Sequence, residues 1–379
     1  MSQNQITIFF IGDIKYDSRA LKMTLSLSQN GYRVNIYSFH NFSIPHSLMS
    51  NFAKNDLYLT DKKIEITYIR LKSSKKAPFL EFYIKALSIV IKNKIDCILC
   101  PDIYSIPLAY IASLFFKCTY IYDSRELFSD LASLHKKKVR QFIWKLVEKC
   151  FVPKAKLLIT VNESIANILK NNFPDKKVEI IYNFPSLKLE KEPLDISQII
   201  GSDNSRKILT YQGGLQNGRG IGILLDLILS MEECILLFLG NGHLKSKIKE
   251  HPLFNKRIFI KDNIPASQVL KYTANSFLGM SIIENLSKSY YLSLPNKIFE
   301  YIHVGIPVIS SNFPEVQKIM TKFKVGELVD PENKQEIIKK IKFLIKHADI
   351  YSKYKQNCIN ARETLNWENQ EPKFLELFK

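Results

Sequence analysis

The sequence has little of what marks a disordered or membrane-spanning chain. Its 379 residues include only 13 Gly and 15 Pro, and no tract has the polar, low-complexity composition of a disordered region. The longest near-apolar run, IPLAYIASLFF at 106–116, is far shorter than the roughly 20 residues that a bilayer-spanning helix requires. With 46% hydrophobic residues, the chain is expected to fold as a packed protein of two domains, each of about 150 to 200 residues.

Cysteine and metal-binding patterns are also sparse. The six Cys are scattered, and only Cys97 and Cys100 form a C-x-x-C pair, inside an apolar stretch with no second ligand pair nearby. Core packing is therefore favoured over a metal or redox site. No D-x-D follows a predicted strand and no His or Cys ligands cluster, so we expect no metal ion. The first residues lack the basic start of a signal peptide, and a cytoplasmic location is expected.

Acidic residues are also few in comparison with basic ones. The net charge is +18, and residues 1–185 carry 27 Lys and Arg against 15 Asp and Glu, which places +12 in the first half. This half is expected to meet a membrane face rich in acidic lipid, a phosphorylated acceptor or nucleic acid. Nucleic acid is disfavoured, because aromatic residues are not interleaved with the basic run as a stacking platform requires.

The densest basic stretch, HKKKVRQFIWKLVEK at 135–149, has the spacing of an amphipathic helix. Its apolar residues recur at helical intervals: Val139, Phe142, Ile143, Leu146 and Val147. Two interpretations stay open. The helix either packs its apolar face on the protein and leaves a solvated Lys face, or it lies on the surface of a membrane.

Short β-rich apolar runs alternate with helical patterns along the whole chain. Because these runs are apolar without alternation, they predict parallel sheets covered on both faces, in two doubly wound α/β domains. A polar, Pro-containing segment at 186–207 separates the two series. Ligands of such folds lie at the carboxyl ends of the strands, and we expect them in the cleft between the domains. The predicted strands are 6–12, 33–39, 64–70, 96–101, 119–124, 156–162, 208–214, 234–240, 257–262, 276–282 and 307–311.

Two glycine-containing loops in the second half indicate a phosphate site. Gly213 and Gly214 end one predicted strand, and Arg219 stands near the start of the following helix. Gly240 and Gly242 follow the next strand. Glycines permit close approach of the backbone to a ligand, and helix starts favour anions. Each loop alone is weak support, because turns need glycine anyway.

A third loop, in YYLSLPNKIFEYIHVGIPVISS at 290–311, puts Lys297 and Glu300 one helical turn apart. Pro295 suits the first turn of a short helix and Gly305 the C′ position just after its end. A surface salt bridge between Lys297 and Glu300 is one interpretation. In the other, Lys297 and the helix N-terminus neutralise a diphosphate, while Glu300 accepts hydrogen bonds from a ribose diol.

The stretch SYYLSLPNKIFEYIHVGIPVISSNFPE resembles the donor-site motif of the family 4 retaining glycosyltransferases of GT-B fold, in the branch with L-P-N-K-x-F-E-Y. The resemblance extends over the whole chain, through YDSRALKMTLSLSQNGYRVNIYSF, IYDSREL, ITVNESIANIL, YQGGLQNGRGI, LGNGHL and NWENQEPKFLELF. It implies two Rossmann-like domains facing across a cleft. Residues 1–188 would bind the acceptor and 189–355 the nucleotide sugar, and a C-terminal helix at 356–379 would pack back on the first domain.

The resemblance also assigns residues to the donor. Arg219 takes the position of the basic residue that clamps the donor diphosphate, and Glu300 that of the second Glu of an E-x7-E element, which holds the ribose. Leu292 stands where the first Glu is expected, so Asn296 and Lys297 are expected to take over contacts to phosphate and sugar. The implied donor-binding residues are Gly213, Gly214, Arg219, Gly240, Gly242, Pro295, Asn296, Lys297 and Glu300.

The implied reaction is transfer of a sugar from a nucleoside diphosphate sugar to an acceptor hydroxyl, with retention and with no metal or other cofactor. Departure of the diphosphate is the difficult step, so preorganised positive charge is the main catalytic contribution expected. Arg219, Lys297 and Arg125 are the implied catalytic cations. Arg125 stands where the family has His in Y-D-x-H-E-L, which puts a His-based role in doubt.

The implied acceptor is a glycan or a lipid-linked glycan, in surface polysaccharide or lipopolysaccharide assembly, with the protein peripheral on the inner face of the membrane. Asp13, Arg19 and Glu126 are the expected acceptor-side residues. Structural alternatives stay open for them: Asp13 caps a helix, and Arg19 pairs with Asp123 or Glu126.

Two other functions fit the same fold. A nucleotide-sugar epimerase of GT-B fold should gather carboxylates and His at its site, but the chain has only seven His, and they are scattered along the sequence. A catalytically inactive sugar-nucleotide-binding partner would suit the missing first Glu, and donor turnover separates it from an enzyme.

Overall fold

The chain divides into two compact units. The first comprises Met1–Asp130, Lys136–Tyr182 and Gln370–Lys379, and the second Leu131–His135 and Asn183–Asn369. The computed structural model describes residues 5–40, 61–72, 78–189, 191–201, 205–262 and 264–379. The predicted linker at 186–207 falls at the start of the second unit and lies partly outside the described residues.

The first unit is built on a parallel sheet that follows the apolar runs of the sequence. Within the described residues the strand order is β3-β2-β1-β4-β5-β6-β7. Every residue of β6 is buried, which requires cover on both faces of the sheet. The strands are β1 Gln5–Ile11, β2 Arg33–His40, β3 Ile64–Arg70, β4 Cys97–Cys100, β5 Thr119–Ser124, β6 Leu157–Thr160 and β7 Val178–Ile180.

Polar side chains cap the helices of this unit. Asp17 and Asn162 each accept a hydrogen bond from a backbone N–H of the first turn that follows, at 2.8 and 2.9 Å. The end of the chain returns to this unit, where the Tyr32 hydroxyl donates to the Phe378 carbonyl at 2.9 Å. The helices are α1 Ser18–Gln29, α2 Pro78–Lys92, α3 Ile106–Phe115, α4 Lys138–Phe151 and α5 Glu163–Asn172.

The second unit repeats the arrangement with a second parallel sheet. Among its described residues the order is β10-β9-β8-β11-β12-β13. Its core contains all six residues of β9, which are buried. The strands are β8 Lys207–Gln212, β9 Cys234–Leu239, β10 Ile258–Lys261, β11 Leu278–Ser281, β12 Val308–Ser311 and β13 Gly326–Val329.

Short helices dominate the second unit up to α12, and longer ones follow. Those near the site are α7 Ile221–Ile228 and α11 Asn296–His303. The others are α6 Ser197–Ile200, α8 Lys245–Lys249, α9 Val269–Thr273, α10 Lys288–Tyr291, α12 Pro314–Phe323, α13 Lys334–Lys346, α14 Ala348–Arg362 and α15 Trp367–Glu376, whose residues from Gln370 belong to the first unit.

The prediction of two doubly wound sheets is confirmed, and all eleven predicted strands are present. Strands β7 and β13 were not predicted from the sequence; they have three and four residues and lie at the edges of their sheets. Each is short and contains a Glu, Glu179 in β7 and Glu327 in β13, which interrupts the apolar run. Periodicity therefore gave no signal for either.

Helix α4 confirms the predicted amphipathic helix, but its apolar face does not pack on the protein. None of its residues is buried, and Val139, Phe142, Ile143 and Leu146 are all exposed. The interpretation that its apolar face packs on the core is wrong. Within the described part of the chain, no helix is both long enough and apolar enough to cross a bilayer.

Candidate functional site

The glycine loops of the second unit lie where its strand order reverses. Strand β8 pairs with β9 on one side and β11 on the other, all parallel. The first glycine loop follows β8, and the loops after β8 and β11 leave the sheet at the same edge and run to opposite sides. This switch point is where open parallel sheets bind their ligands.

The two glycine loops pack backbone against backbone. Gly240 has φ +152°, and a Cβ there would lie 2.0 Å from the Gly213 carbonyl oxygen. A Cβ at Gly242 would lie 2.3 Å from the carbonyl oxygen of Leu215. The Leu215 N–H also donates to the Asn241 carbonyl at 2.9 Å. Glycine at 240 and 242 is thus required by the loop packing itself, and Gly213 and Gly214 stay exposed.

Helix α11 is fixed to the sheet by Tyr301. Its hydroxyl accepts from the Gln212 N–H at 3.1 Å and donates to the Thr210 carbonyl at 2.9 Å. Its ring fills the space above Gly279, where a Cβ would lie 2.2 Å from the ring. As predicted, the helix starts just after Pro295, and Gly305 follows it with φ +72°. Asn296, its first residue, is exposed.

Lys297 is a buried cation beside the first glycine loop. The side chain is 6% exposed, and its Nζ lies 3.7 Å from the centre of the Tyr211 ring and 3.7 Å from where a Gly213 Cβ would be. The Nζ has no hydrogen-bond partner within the described structure. The pKa of Lys297 lies well below its usual range, because burial disfavours the ammonium and Arg219 repels it, while Glu300 opposes both effects.

Glu300 belongs to a polar chain rather than to a salt bridge with Lys297. Its carboxylate accepts from the Gln212 side-chain amide, whose oxygen in turn accepts from the Thr273 hydroxyl at 2.6 Å. The carboxyl group stays half-buried. The interpretation of Lys297 and Glu300 as a surface salt bridge is therefore wrong, because Lys297 is buried.

Arg219 is held by an aromatic ring at the start of α7. Its guanidinium lies 4.5 Å from the centre of the Tyr290 ring, and its Nε donates to the Tyr290 hydroxyl at 3.2 Å. The N–H of Gly220, the residue just before α7, donates to the Glu284 carboxylate at 3.3 Å. Glu284 was not identified from the sequence, because a Glu in a loop gives no periodic signal. Its carboxylate lies beside the helix start at which the sequence predicts a phosphate.

A second charged cluster lies at strand ends in the first unit. Arg19 is buried and donates twice to Asp123, at 2.9 and 2.7 Å, and once to the Ile181 carbonyl at 2.7 Å. Arg125 donates to the same Asp123 at 3.0 Å and pairs with Asp17. This geometry favours the structural alternative for Arg19, and it leaves Arg125 partly exposed between two carboxylates.

The remaining predicted residues of the first unit are less enclosed. Asp13 accepts from the Lys15 N–H at 3.2 Å and caps a short 3-10 turn, which is its structural alternative. Glu126 is exposed. Asp102, which the sequence analysis missed, follows β4 and has a buried Oδ1 without a partner in the described structure. Burial raises its pKa to about 6.

A metal site is not formed by the described residues, in which no group of three or more His, Cys, Asp or Glu is placed to hold an ion. Cys97 and Cys100 are unbridged, and burial raises the pKa of both thiols. Core packing accounts for the pair.

Residues 194–363 match the family model described as glycosyl transferases group 1. The second unit resembles the group 1 glycosyl transferases. This match includes Arg219, Lys297, Glu300 and both glycine loops. The chain is also 25% identical over 362 residues to the chitobiosyldiphosphodolichol beta-mannosyltransferase of Candida albicans, a match that covers 86% of this chain and 76% of the fungal one.

Solved structures extend the likeness to both units. The sucrose-phosphate synthase of Thermosynechococcus elongatus superposes with a TM-score of 0.76 at 16% identity, over 98% of each chain. Anabaena Alr3699/HepE in complex with UDP-glucose gives 0.73 at 13% identity, over 98% of this chain and 99% of that one. The expected GT-B fold, two Rossmann-like domains, is confirmed.

Proposed function

We propose that this protein is a glycosyltransferase that moves a sugar from a nucleoside diphosphate sugar to an acceptor hydroxyl. The observation that carries the proposal is the buried side chain of Lys297 beside Gly213 at the switch point of the second sheet, because its Nζ has no hydrogen-bond partner within the described residues. A buried charge without a partner is unfavourable, so the site is built to gain a partner. An anion seated on the exposed Gly213 and Gly214 backbone supplies one.

A diphosphate fits because two cations share the site. Arg219 repels the Lys297 ammonium in the free protein, and a bound anion of two charges relieves both. Tyr290 holds the guanidinium in place, so little side-chain freedom is lost on binding. The helix start at Gly220 contributes less than the sequence suggested, because Glu284 already occupies it.

The ribose is assigned to Glu300. This carboxylate lies one helical turn beyond Lys297 and already accepts a hydrogen bond from Gln212. Its remaining lone pairs can accept from a ribose diol, a charge-assisted contact. In support, HepE, a structural neighbour, has been solved with UDP and with UDP-glucose.

We propose transfer with retention and without a metal ion. The cations of Arg219 and Lys297 supply the charge that stabilises the leaving diphosphate. The names of two fungal relatives specify a β-mannosyl product, which makes the anomeric configuration a decisive measurement. From an α-linked donor, an α product means retention and a β product means inversion.

The acceptor is assigned to the first unit, where Arg125 and Glu126 are accessible at the end of β5. We propose a glycan or lipid-linked glycan of surface polysaccharide or lipopolysaccharide assembly, on the inner face of the membrane. The basic charge of the first half supports an anionic surface or acceptor.

A thermal-shift screen of nucleotides and nucleotide sugars tests the proposal. A ligand present at a hundred times its dissociation constant should raise the free energy of unfolding by about 2.7 kcal/mol. The stabilising donor is then incubated with candidate acceptors. Binding without transfer would indicate the inactive partner, and conversion of the donor sugar without acceptor would indicate an epimerase. If no nucleotide stabilises the protein, the proposed function is wrong.

A further inference from the structure

Three neighbouring helices of the first unit expose large apolar side chains. Helix α3 contacts both α2 and α4. We define the apolar surface by one or more residues from each helix: Leu80, Ile84, Phe115, Val139, Phe142 and Leu146. Each of them is about half exposed or more, with Phe115 at 76% and Val139 at 74%. These side chains contribute little to the core, and large exposed apolar side chains on neighbouring helices indicate an interaction site.

Helix α4 holds its apolar side outward because its other side is anchored. Trp144 packs edge-on against Tyr104 with the ring centres 5.0 Å apart. Glu148 accepts a hydrogen bond from the Tyr122 hydroxyl at 3.4 Å. Residues 144 and 148 lie one turn apart, on the side opposite to 139, 142 and 146. The exposed stripe is therefore fixed by packing and cannot turn inward without losing these contacts.

The charged side chains that border the apolar surface are mostly basic. Helix α4 carries exposed Lys138, Arg140, Lys145 and Lys149, and α2 ends at exposed Lys92. The acidic residues of these three helices are Glu81 and Glu148, both half-buried. Glu81 pairs with a lysine of its own helix at 2.7 Å, and Glu148 is bound by Tyr122. Apolar side chains bordered by exposed cations match the boundary of an anionic bilayer.

We propose that the apolar surface inserts into the headgroup region of an anionic lipid bilayer, with the basic side chains of α4 among the lipid phosphates. This inference deepens the proposed function, on which it rests for a lipid-linked acceptor, by naming the part of the protein that holds it at the membrane. Salt distinguishes insertion from purely electrostatic attraction of the basic side chains, because the free energy of burying apolar area is not screened by salt.

Co-sedimentation with vesicles tests the proposal, using phosphatidylcholine with and without phosphatidylglycerol at low and high salt. The apolar variant combines Val139→Gln, Phe142→Gln and Leu146→Gln, which are exposed changes that should leave folding intact. The matched control is Leu229→Gln, an exposed leucine of the second unit. A charge variant combines Arg140→Gln, Lys145→Gln and Lys149→Gln.

The parent and Leu229→Gln should bind anionic vesicles at both salt concentrations. The apolar variant should lose at least tenfold in binding at both salt concentrations, and the charge variant should lose binding mainly at low salt, because at high salt the cations of the parent are screened as well. Equal binding of parent and apolar variant would overturn the proposal. So would a parent that forms dimers which the apolar variant does not, because the occupant would then be a second copy. Nucleotide binding, measured in parallel, reports separately on the proposed function.

Discussion

At the scale of single residues, substitution of Glu300 tests whether this side chain binds the nucleotide or only stabilises the fold. Glu300→Gln keeps the shape of the side chain and its bond from Gln212, but it removes the negative charge that would bind a ribose diol. Hydrogen bonds to charged groups contribute about 1.5 to 3 kcal/mol, so nucleotide affinity should fall roughly tenfold or more while the melting temperature changes little. Calorimetric titration measures the affinity, and Glu332→Gln at an exposed position is the control. Unchanged affinity with a lower melting temperature would make Glu300 structural.

Asp102 gives a prediction about pH. Its pKa is raised to about 6 from 3.8 because burial disfavours the carboxylate, and nearby carboxylates add to the rise while Arg125 opposes it. The native state therefore holds this proton more tightly than the unfolded state, and its contribution to stability falls as pH rises from about 4 to 6. Asp102→Asn should match the parent near pH 4 and exceed it at pH 7 by roughly 2 kcal/mol. Urea unfolding across this range is the measurement. A difference independent of pH would contradict it.

The sequence predicted which residues form the candidate site better than it predicted what surrounds them. The motif located Lys297 and Glu300 on one short helix, yet the sequence alone left a surface salt bridge open. Only the fold shows that the Tyr211 ring covers the Lys297 ammonium. Glu284 and Asp102 were missed for the same reason, since burial and partners depend on contacts distant in the sequence.

At the scale of elements, two glycines of the second unit make a matched pair. Gly240→Ala places a Cβ against the Gly213 carbonyl at a φ of +152°, so it should destabilise the protein by more than about 2 kcal/mol and disturb the first glycine loop. Gly222→Ala lies inside α7 near the flexible end of Lys247 and should stabilise by about 0.5 to 1 kcal/mol. Chemical denaturation of both variants checks the pair. Equal stabilities would contradict the packed-loop geometry.

Elements with a long apolar run were predictable, and those without one were not. Strands β3 and β5 have the predicted bounds because each is a continuous β-rich run. Strands β7 and β13 are only three and four residues long, and each contains a Glu. For α4 the helix was predictable but its exposure was not, because periodicity shows that an apolar face exists and not what covers it.

At the scale of the whole molecule, the claim of metal independence can be tested directly. Sugar transfer with the stabilising donor should survive excess chelator, because Arg219 and Lys297 carry the charge that stabilises the leaving diphosphate. Release of nucleoside diphosphate with and without chelator is the assay. Complete loss of activity that added metal restores would contradict the mechanism.

The central claim is that the buried side chain of Lys297 binds a diphosphate, and one titration tests it most directly. UDP, GDP and the matching monophosphates are titrated calorimetrically into the parent, Lys297→Met and the exposed control Lys322→Met. Methionine fills the space without the charge, so Lys297→Met should be at least as stable as the parent when unliganded. It should bind diphosphate at least tenfold more weakly and lose the preference for diphosphate over monophosphate. Diphosphate binding by Lys297→Met as tight as that of the parent and of Lys322→Met would contradict the account.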